Sequence, residues 1–190
     1  TLAAGPGETT PSETGCGYGV EYTQAQIEDE IDGVPANFVR SEDTNGHGTH
    51  VTGSAAGNGS AMSNQKYAGL APESQILVVK AGNSSFPETN IVDGISYARQ
   101  KAQALGLPLV INMSLGSLSG PHDGTDGKSQ AIDDFAGAGR VVTLSAGNSG
   151  NKAVHNSGSI ANSSNFDITF YIDTDSPFTP IASANNDDVA

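Results

Sequence analysis

The sequence predicts an α/β domain with a parallel β-sheet flanked by helices. Three short apolar runs, at residues 76–80, 109–113 and 140–144, have the length and β-branched content of strands buried on both faces. A stretch with helical spacing separates each run from the next. This alternation favours right-handed crossovers between parallel strands, whose working residues gather at the carboxyl ends.

The composition is that of one domain with its own core. The chain has 190 residues, 36% of them hydrophobic, and its 24 glycines favour tight turns and close packing. The net charge of −13 argues against nucleic acid and against an anionic membrane as partners, because both need a basic surface. Cys16 is the single cysteine, so the chain forms no internal disulfide.

The chain divides into three segments by composition. Residues 1–16 are rich in glycine, proline, serine and threonine, which predicts a flexible leader. Residues 17–155 carry the strand and helix pattern. Residues 156–190 begin as a polar linker and continue into Phe166–Ile172, an alternating run typical of a half-exposed antiparallel strand. We expect a different β-rich element to start there, and the whole chain to be a fragment of a longer protein.

Start and stop signals place the helices. A capping box at Thr23 predicts a short surface helix over 23–32. Thr89 is predicted to cap a second helix that Gly106 stops, and a third is expected over about 126–137. The residues predicted to face inward from the last two helices are Ile91, Val92, Ile95, Ala98, Ala102, Leu105, Ala131, Ile132, Phe135 and Ala136.

The stretch 45–53 places a histidine at the start of a helix with little side-chain bulk. His47 follows an Asn-Gly pair and precedes several glycines and alanines. Glycine costs up to about 1 kcal/mol per helical site relative to alanine, so such a helix makes sense if it packs very closely against a neighbour. An imidazole near the positive end of a helix dipole is disfavoured as a cation, which suits a general base.

Other interpretations of the histidine pair stay open at this point. His50 lies on the same helical face as His47, so the two side chains could bind a metal ion. No glutamate or third ligand has the spacing of a zinc peptidase helix, however. Both histidines could also serve only in packing or hydrogen bonding. A base would also need a carboxylate to orient it.

Small residues follow the strand predicted over 109–113. Ser114, Leu115 and Gly116 leave backbone groups accessible, so an extended peptide could pair with this edge. The alternative is an ordinary turn from strand to loop. The residues alone do not decide between a peptide-binding edge and such a turn.

A second group of small residues follows the strand predicted over 140–144. Ser145, Ala146 and Gly147 leave room for a substrate side chain. Asn148 carries a carboxamide N–H that could donate to a developing oxyanion. The same asparagine could instead only adopt the left-handed conformation of a turn.

Three blocks of this sequence together resemble the subtilisin-like serine peptidases. His-Gly-Thr-His-Val-Thr-Gly at 47–53 is similar to the family's histidine signature, and Ser-Leu-Gly at 114–116 and Ala-Gly-Asn at 146–148 follow in the family's order. The resemblance covers about residues 17–155. It implies a subtilisin-like fold, incomplete here, and hydrolysis of peptide bonds through an acyl-enzyme.

The resemblance also implies roles for individual residues. His47 would be the general base and acid, His50 structural, and Asn148 part of the oxyanion hole. Polypeptides would be the substrates, the location secreted or extracellular, and no organic cofactor would be required. Calcium commonly stabilises the family, but no acidic stretch has a recognised calcium-loop spacing. The residues implied to bind substrate beside the P1 side chain are Ser114, Leu115, Gly116, Ser145, Ala146 and Gly147.

Two blocks of the family's triad do not occur in this sequence. The Asp-Ser/Thr-Gly block should precede His47, but Asp29 and Asp32 lie in a helical pattern and Asp43 is too close in sequence. The Gly-Thr-Ser-Met-Ala block should follow Asn148 and is also absent. We therefore predict that this chain alone has no appreciable peptidase activity.

Two other functions remain as alternatives to the peptidase. One is a non-catalytic relative that acts as a peptide- or partner-binding module. The other is a nucleotide-binding α/β domain, which would need a Gly-x-Gly-x-x-Gly or Gly-Lys-Ser/Thr loop that the sequence lacks. A missing central strand would leave a sheet edge open to pairing or aggregation.

Overall fold

The computed structural model describes residues 3–11, 17–31, 33–34, 37–83 and 85–152. The chain divides into two units, Thr1–Gly147 and Asn148–Ala190, and each is treated by itself. Of the second unit only residues 148–152 are described, so the strand predicted over Phe166–Ile172 lies outside the described residues. The segment boundaries predicted at 16 and 156 stay predictions.

Helices and strands alternate in the described part of the first unit, and the two strands form a parallel pair. Their register runs from Leu109 opposite Arg140 to Met113 opposite Leu144. The predicted α/β class with a parallel sheet is therefore confirmed. In chain order the elements are α1 Gln24–Ile31, α2 His47–Ala56, α3 Glu88–Leu105, β1 Leu109–Met113, α4 Gly127–Phe135 and β2 Arg140–Leu144.

The core lies between this pair of strands and the helices α3 and α4. Ile91 and Ile95 of α3 pack with Met113 of β1 and with Phe135, whose side chain is 1% exposed. Burying a side chain of this size stabilises the fold by about 1.5–3 kcal/mol. Val110 faces away from the helices and is 65% exposed. The expectation that these strands are buried on both faces is thus wrong for the described residues, because α3 and α4 cover one face only.

The first predicted strand, 76–80, also differs from expectation. In the described residues it joins no ladder, and its apolar side chains are exposed, Val78 to 70%. A groove of about 170 Å³ is lined by Leu77 and Val79 and by residues of α3 and β1. A strand needs a hydrogen-bonded neighbour about 4.8 Å away. None of the described residues supplies one here.

The helix boundaries follow local chemistry. The capping box of α1 is confirmed, because the Thr23 amide donates to Gln26 Oε1 at 2.8 Å. The N-cap of α3 is Pro87 rather than Thr89, so that prediction is wrong. Proline's fixed φ and missing N–H suit a helix start, and they move the start ahead of the threonine. Gly106 stops α3 in the left-handed conformation, with φ 65°, as predicted.

The predicted inward faces are partly confirmed. Ile91, Ile95, Ala98 and Phe135 are buried. Leu105, in contrast, is 64% exposed. Ala136 is exposed because α4 ends before it, which leaves this alanine as the C-cap. Among the described residues no helix has the length and apolar character needed to cross a membrane.

A glutamate holds the beginning of the chain. The Glu8 side chain is 3% exposed and accepts hydrogen bonds from the Tyr22 hydroxyl, from Arg40 Nε at 2.8 Å and from the Gly5 amide at 2.6 Å. Arg40 first and Tyr22 second lower the pKa of this carboxyl to about 2. Thr9 also forms an antiparallel bridge with Glu21. Residues 5–9 of the predicted flexible leader are therefore held in place by contacts that composition does not reveal.

Candidate functional site

His47 is the first residue of α2, as the sequence predicts for its position at a helix start. Gly46 before it adopts φ 84°, a left-handed conformation that glycine reaches at no steric cost. The His47 amide donates to Asn45 Oδ1 at 3.3 Å, and the His50 amide donates to the Gly46 carbonyl at 3.0 Å. The imidazole thus projects from the point where a tight turn becomes a helix.

The small residues of α2 allow close packing against the segment 69–71. The Gly69 amide donates to the Gly57 carbonyl at 2.7 Å, and the Ala71 amide donates to the Ala55 carbonyl at 2.9 Å. A Cβ added to Gly69 would lie 2.7 Å from the backbone nitrogen of Ala56. The expected close packing of this helix is therefore confirmed, and its neighbour is an irregular segment rather than another helix.

The imidazole of His47 is exposed and has no hydrogen-bond partner in the described part of the chain. Asp43 is the nearest carboxylate in sequence, but both its oxygens accept from backbone amides and from the Thr49 hydroxyl instead. This agrees with the sequence argument against Asp43 as the orienting carboxylate. Sequence reasoning missed its contacts, although an aspartate before Thr-Asn-Gly is a signal for such a turn.

The carboxyl ends of β1 and β2 meet. The Ser145 hydroxyl donates to the Leu115 carbonyl at 2.9 Å, and the Ser145 amide donates to the Met113 carbonyl at 3.3 Å. A Cβ on Gly116 would lie 4.0 Å from Ser145 Oγ. The structure therefore brings the segment 114–116 beside Ser145, two of the groups that the sequence singled out.

Polar side chains link the same two strands just before their ends. Asn112 Nδ2 donates to Ser114 Oγ at 3.1 Å, and Thr143 Oγ1 donates to Asn112 Oδ1 at 2.9 Å. Beyond Ser145, Gly147 adopts φ 86°, which only glycine accepts without strain. The strand ends thus form a fixed polar edge that turns sharply at the glycine.

The remaining site predictions stay predictions. Asn148 is exposed and is the first residue of the second unit, whereas His47 belongs to the first. Within the described residues, α2 makes no packing contact with the strands or the other helices. The described residues also contain no group of three His, Cys, Asp or Glu side chains that could hold a metal ion. No residue is therefore assigned to the calcium that the resemblance implies.

The parallel pair of strands, covered by helices on one face, places the described residues in the class of α/β proteins. Comparison with models of known families then shows which α/β family this chain belongs to. The model of the subtilase family, Peptidase_S8, matches residues 14–172. The chain belongs to the subtilase family, and the family predicted from the three blocks is confirmed.

Individual relatives agree with this assignment. Subtilisin DY of Bacillus licheniformis is 43% identical over 128 residues, which are 64% of this chain and 42% of that protein. The major intracellular serine protease of Bacillus subtilis (strain 168) is 41% identical over 112 residues, 57% of this chain and 31% of that protein. Each match spans less than half of the relative's length.

A solved structure gives the same result for the fold. The structure of the Clostridium perfringens CspB protease matches with a TM-score of 0.63 and 30% identity. The match covers 70% of this chain and 29% of that one. The predicted subtilisin-like fold is thus confirmed for the part that this chain contains.

Proposed function

We propose that the protein containing this chain is a serine endopeptidase that hydrolyses peptide bonds in polypeptides. His47 would act as general base and acid, and Asn148 would donate to the oxyanion. The observation that carries the proposal is the place of His47 at the first residue of α2, in a chain that matches the subtilase model. A base needs an exposed ring nitrogen within reach of a substrate, and the His47 side chain is exposed.

In this mechanism His47 takes the proton of a nucleophilic hydroxyl as that oxygen attacks the peptide carbonyl. It then returns the proton to the departing amine. The carboxamide of Asn148 would stabilise the negative charge on the tetrahedral intermediate. The nucleophilic serine and the orienting carboxylate match no residue of this sequence, so the mechanism requires both from elsewhere in the protein.

The joined strand ends are the proposed substrate edge. Ser145 holds the Leu115 carbonyl and thereby fixes the backbone of 114–116. A fixed extended backbone can accept a substrate chain by strand addition, with pockets for alternate side chains. The residues proposed to line the P1 pocket are Ser114, Leu115, Gly116, Ser145, Ala146 and Gly147.

We also propose a secreted or extracellular location, by resemblance to the family. One of the relatives above is named as intracellular, so the family does not fix the compartment. Fractionation of cells that produce the whole protein tests the proposal. Activity confined to the cytosolic fraction would contradict it.

The peptidase proposal is tested on the longer protein that carries this chain. A fluorophosphonate labels an activated serine, so we expect labelling and peptide turnover in the unchanged protein and neither in the His47→Ala variant. His122→Ala is the matched control, because His122 is an exposed loop histidine whose ring forms a local hydrogen bond with the Leu118 carbonyl. Equal turnover by the His47→Ala variant would overturn the role of His47.

The second candidate is a non-catalytic relative that binds a peptide or a partner. The joined strand ends support it, because a backbone fixed by the Ser145–Leu115 bond could hold an extended peptide without any nucleophile. In that case the longer protein would bind extended peptides without cleaving them and would resist the fluorophosphonate. The same experiment therefore separates the two functions. For the 190-residue chain alone we expect no turnover under either one.

A further inference from the structure

We propose that Asp43 is a positioning residue for His47, whose carboxylate fixes the backbone on both sides of the histidine. This inference rests on the proposed function, because the residue that it positions is the proposed base. The role assigned to Asp43 is neither proton transfer nor direct contact with the imidazole.

The carboxylate of Asp43 holds backbone groups on both sides of His47. On the side before His47, Asp43 Oδ1 accepts from the Asn45 amide at 3.1 Å and from the Gly46 amide at 2.8 Å. On the side after it, Oδ2 accepts from both the amide and the hydroxyl of Thr49 at 2.8 Å. One side chain therefore bridges the turn and the first helical turn, and it fixes the direction in which the His47 side chain leaves the backbone.

Within the described part of the chain, Asp43 is the charged side chain that holds this end of α2, and Asn45 adds one longer bond of 3.3 Å to the His47 amide. Gly46 occupies the N-cap and has no side chain to accept from the free amides of the first turn. The other end of the helix is anchored by the bonds from Gly69 and Ala71. Among the described residues, α2 packs against no other helix or strand. The histidine end thus depends on Asp43.

The charge of Asp43 fits this role. The amide and hydroxyl of Thr49, and then the amide of Gly46, hold the pKa of Asp43 well below its ordinary value. The side chain is therefore an anion at neutral pH, and an anion is favourable beside the amides of a helix N-terminus. Only a carboxylate offers two acceptor oxygens. Asparagine keeps one of them and could hold one side of the histidine but not both.

An ordinary helix cap would affect stability alone, so the test needs a matched cap elsewhere. Asp126 at the start of α4 accepts from the amides of Lys128 and Ser129 and from the Ser129 hydroxyl. Its removal should lower the midpoint temperature of unfolding by about as much as the removal of Asp43 does. Asp126 is part of no proposed site, so Asp126→Ala is the control.

The first readout is the hydrogen-exchange rate of the His50 amide in the longer protein, because this amide donates to the Gly46 carbonyl at 3.0 Å and so reports the backbone on both sides of His47. We expect slow exchange of this amide in the unchanged protein and in Asp126→Ala, faster exchange in Asp43→Ala, and an intermediate rate in Asp43→Asn. This measurement does not depend on peptidase activity. Slow exchange retained in Asp43→Ala and Asp43→Asn would overturn the inference and leave the proposed function untouched.

The second readout is turnover by the longer protein. We expect Asp43→Ala to lower kcat on the order of 10²-fold with KM within about twofold, because a misplaced base affects the chemical step more than binding. Asp126→Ala should leave both constants within about twofold. Equal losses in the two variants would overturn the inference. If the Asp43→Ala variant does not fold, both measurements are made on Asp43→Asn instead. The same outcomes then support or overturn the inference.

Discussion

The hydroxyl of Ser145 donates a 2.9 Å hydrogen bond to the backbone carbonyl of Leu115, across the carboxyl ends of two parallel strands. These residues are 30 positions apart in the chain. The bond joins two of the segments that we propose as the lining of the P1 pocket. It ties the shape of the proposed P1 region to a single side chain.

Replacement of Ser145 by alanine should therefore loosen the strand ends. We expect a loss of about 1 kcal/mol in the free energy of unfolding, the usual net value of such a bond. In the longer protein we expect a higher KM as well. Urea denaturation and steady-state kinetics measure the two effects. Ser74→Ala is the control, because that hydroxyl donates to the Ala71 carbonyl within its own turn. An equal rise of KM in that variant would contradict the prediction.

The core makes a stronger prediction at Phe135. Its side chain is 1% exposed and packs where α3, α4 and β1 meet. Phe135→Ala should cost about 3–5 kcal/mol, since it removes buried surface and leaves a cavity. Val110→Ala, on the open face of β1, should cost much less because Val110 is 65% exposed. Chemical denaturation measures the free energy of unfolding of both variants. Similar decreases in the two variants would contradict the prediction and would show that the open face of β1 is covered.

Two glycines near His47 give a matched pair. Gly46 has φ 84°, so Gly46→Ala forces alanine into the left-handed region at a cost of about 1–2 kcal/mol. Gly53 lies inside α2, and a Cβ added there meets nothing within 4 Å. Gly53→Ala should therefore stabilise by about 0.4–1 kcal/mol. The midpoint temperature of unfolding should fall for Gly46→Ala and rise for Gly53→Ala. A shift in the same direction for both variants would contradict this explanation from backbone conformation.

The buried contacts of Glu8 predict an acid-sensitive N-terminal segment. Its folded-state pKa is about 2, below the value of 4.5 expected without these contacts. A lowered pKa means that the stabilisation is full above about pH 4.5 and is lost as the pH falls towards 2. In the Glu8→Gln variant, the free energy of unfolding should depend less on pH between about 4.5 and 2. Urea midpoints between pH 2 and 7 measure this, with the exposed Glu28→Gln as control.

The strands show what a pattern can and cannot predict. The runs 109–113 and 140–144 became strands because each finds the other as a hydrogen-bonded neighbour in this chain. The run 76–80 has the same apolar, β-branched character but joins no ladder among the described residues. Apolar periodicity reports the tendency of a segment to be a strand. It does not report whether a neighbouring strand is present.

The site divides in a similar way. The position of His47 could be predicted because a glycine turn and a run of small helical residues are local signals. The Asp43 contacts are equally local and could have been predicted from the same stretch. The pairing of Glu8 with Arg40 could not, because it joins residues 32 positions apart with no periodic pattern between them. Asn148 remains assigned by the family alone.

The groove along β1 has a consequence for handling this polypeptide. Apolar side chains such as Val79 and Val110 border two backbone segments whose hydrogen-bonding groups are open to any extended chain nearby. At high concentration a second molecule can serve as that chain, and a third can add to the second. Production of these 190 residues by themselves therefore favours inclusion bodies over soluble monomer. Refolding at high dilution would limit such encounters.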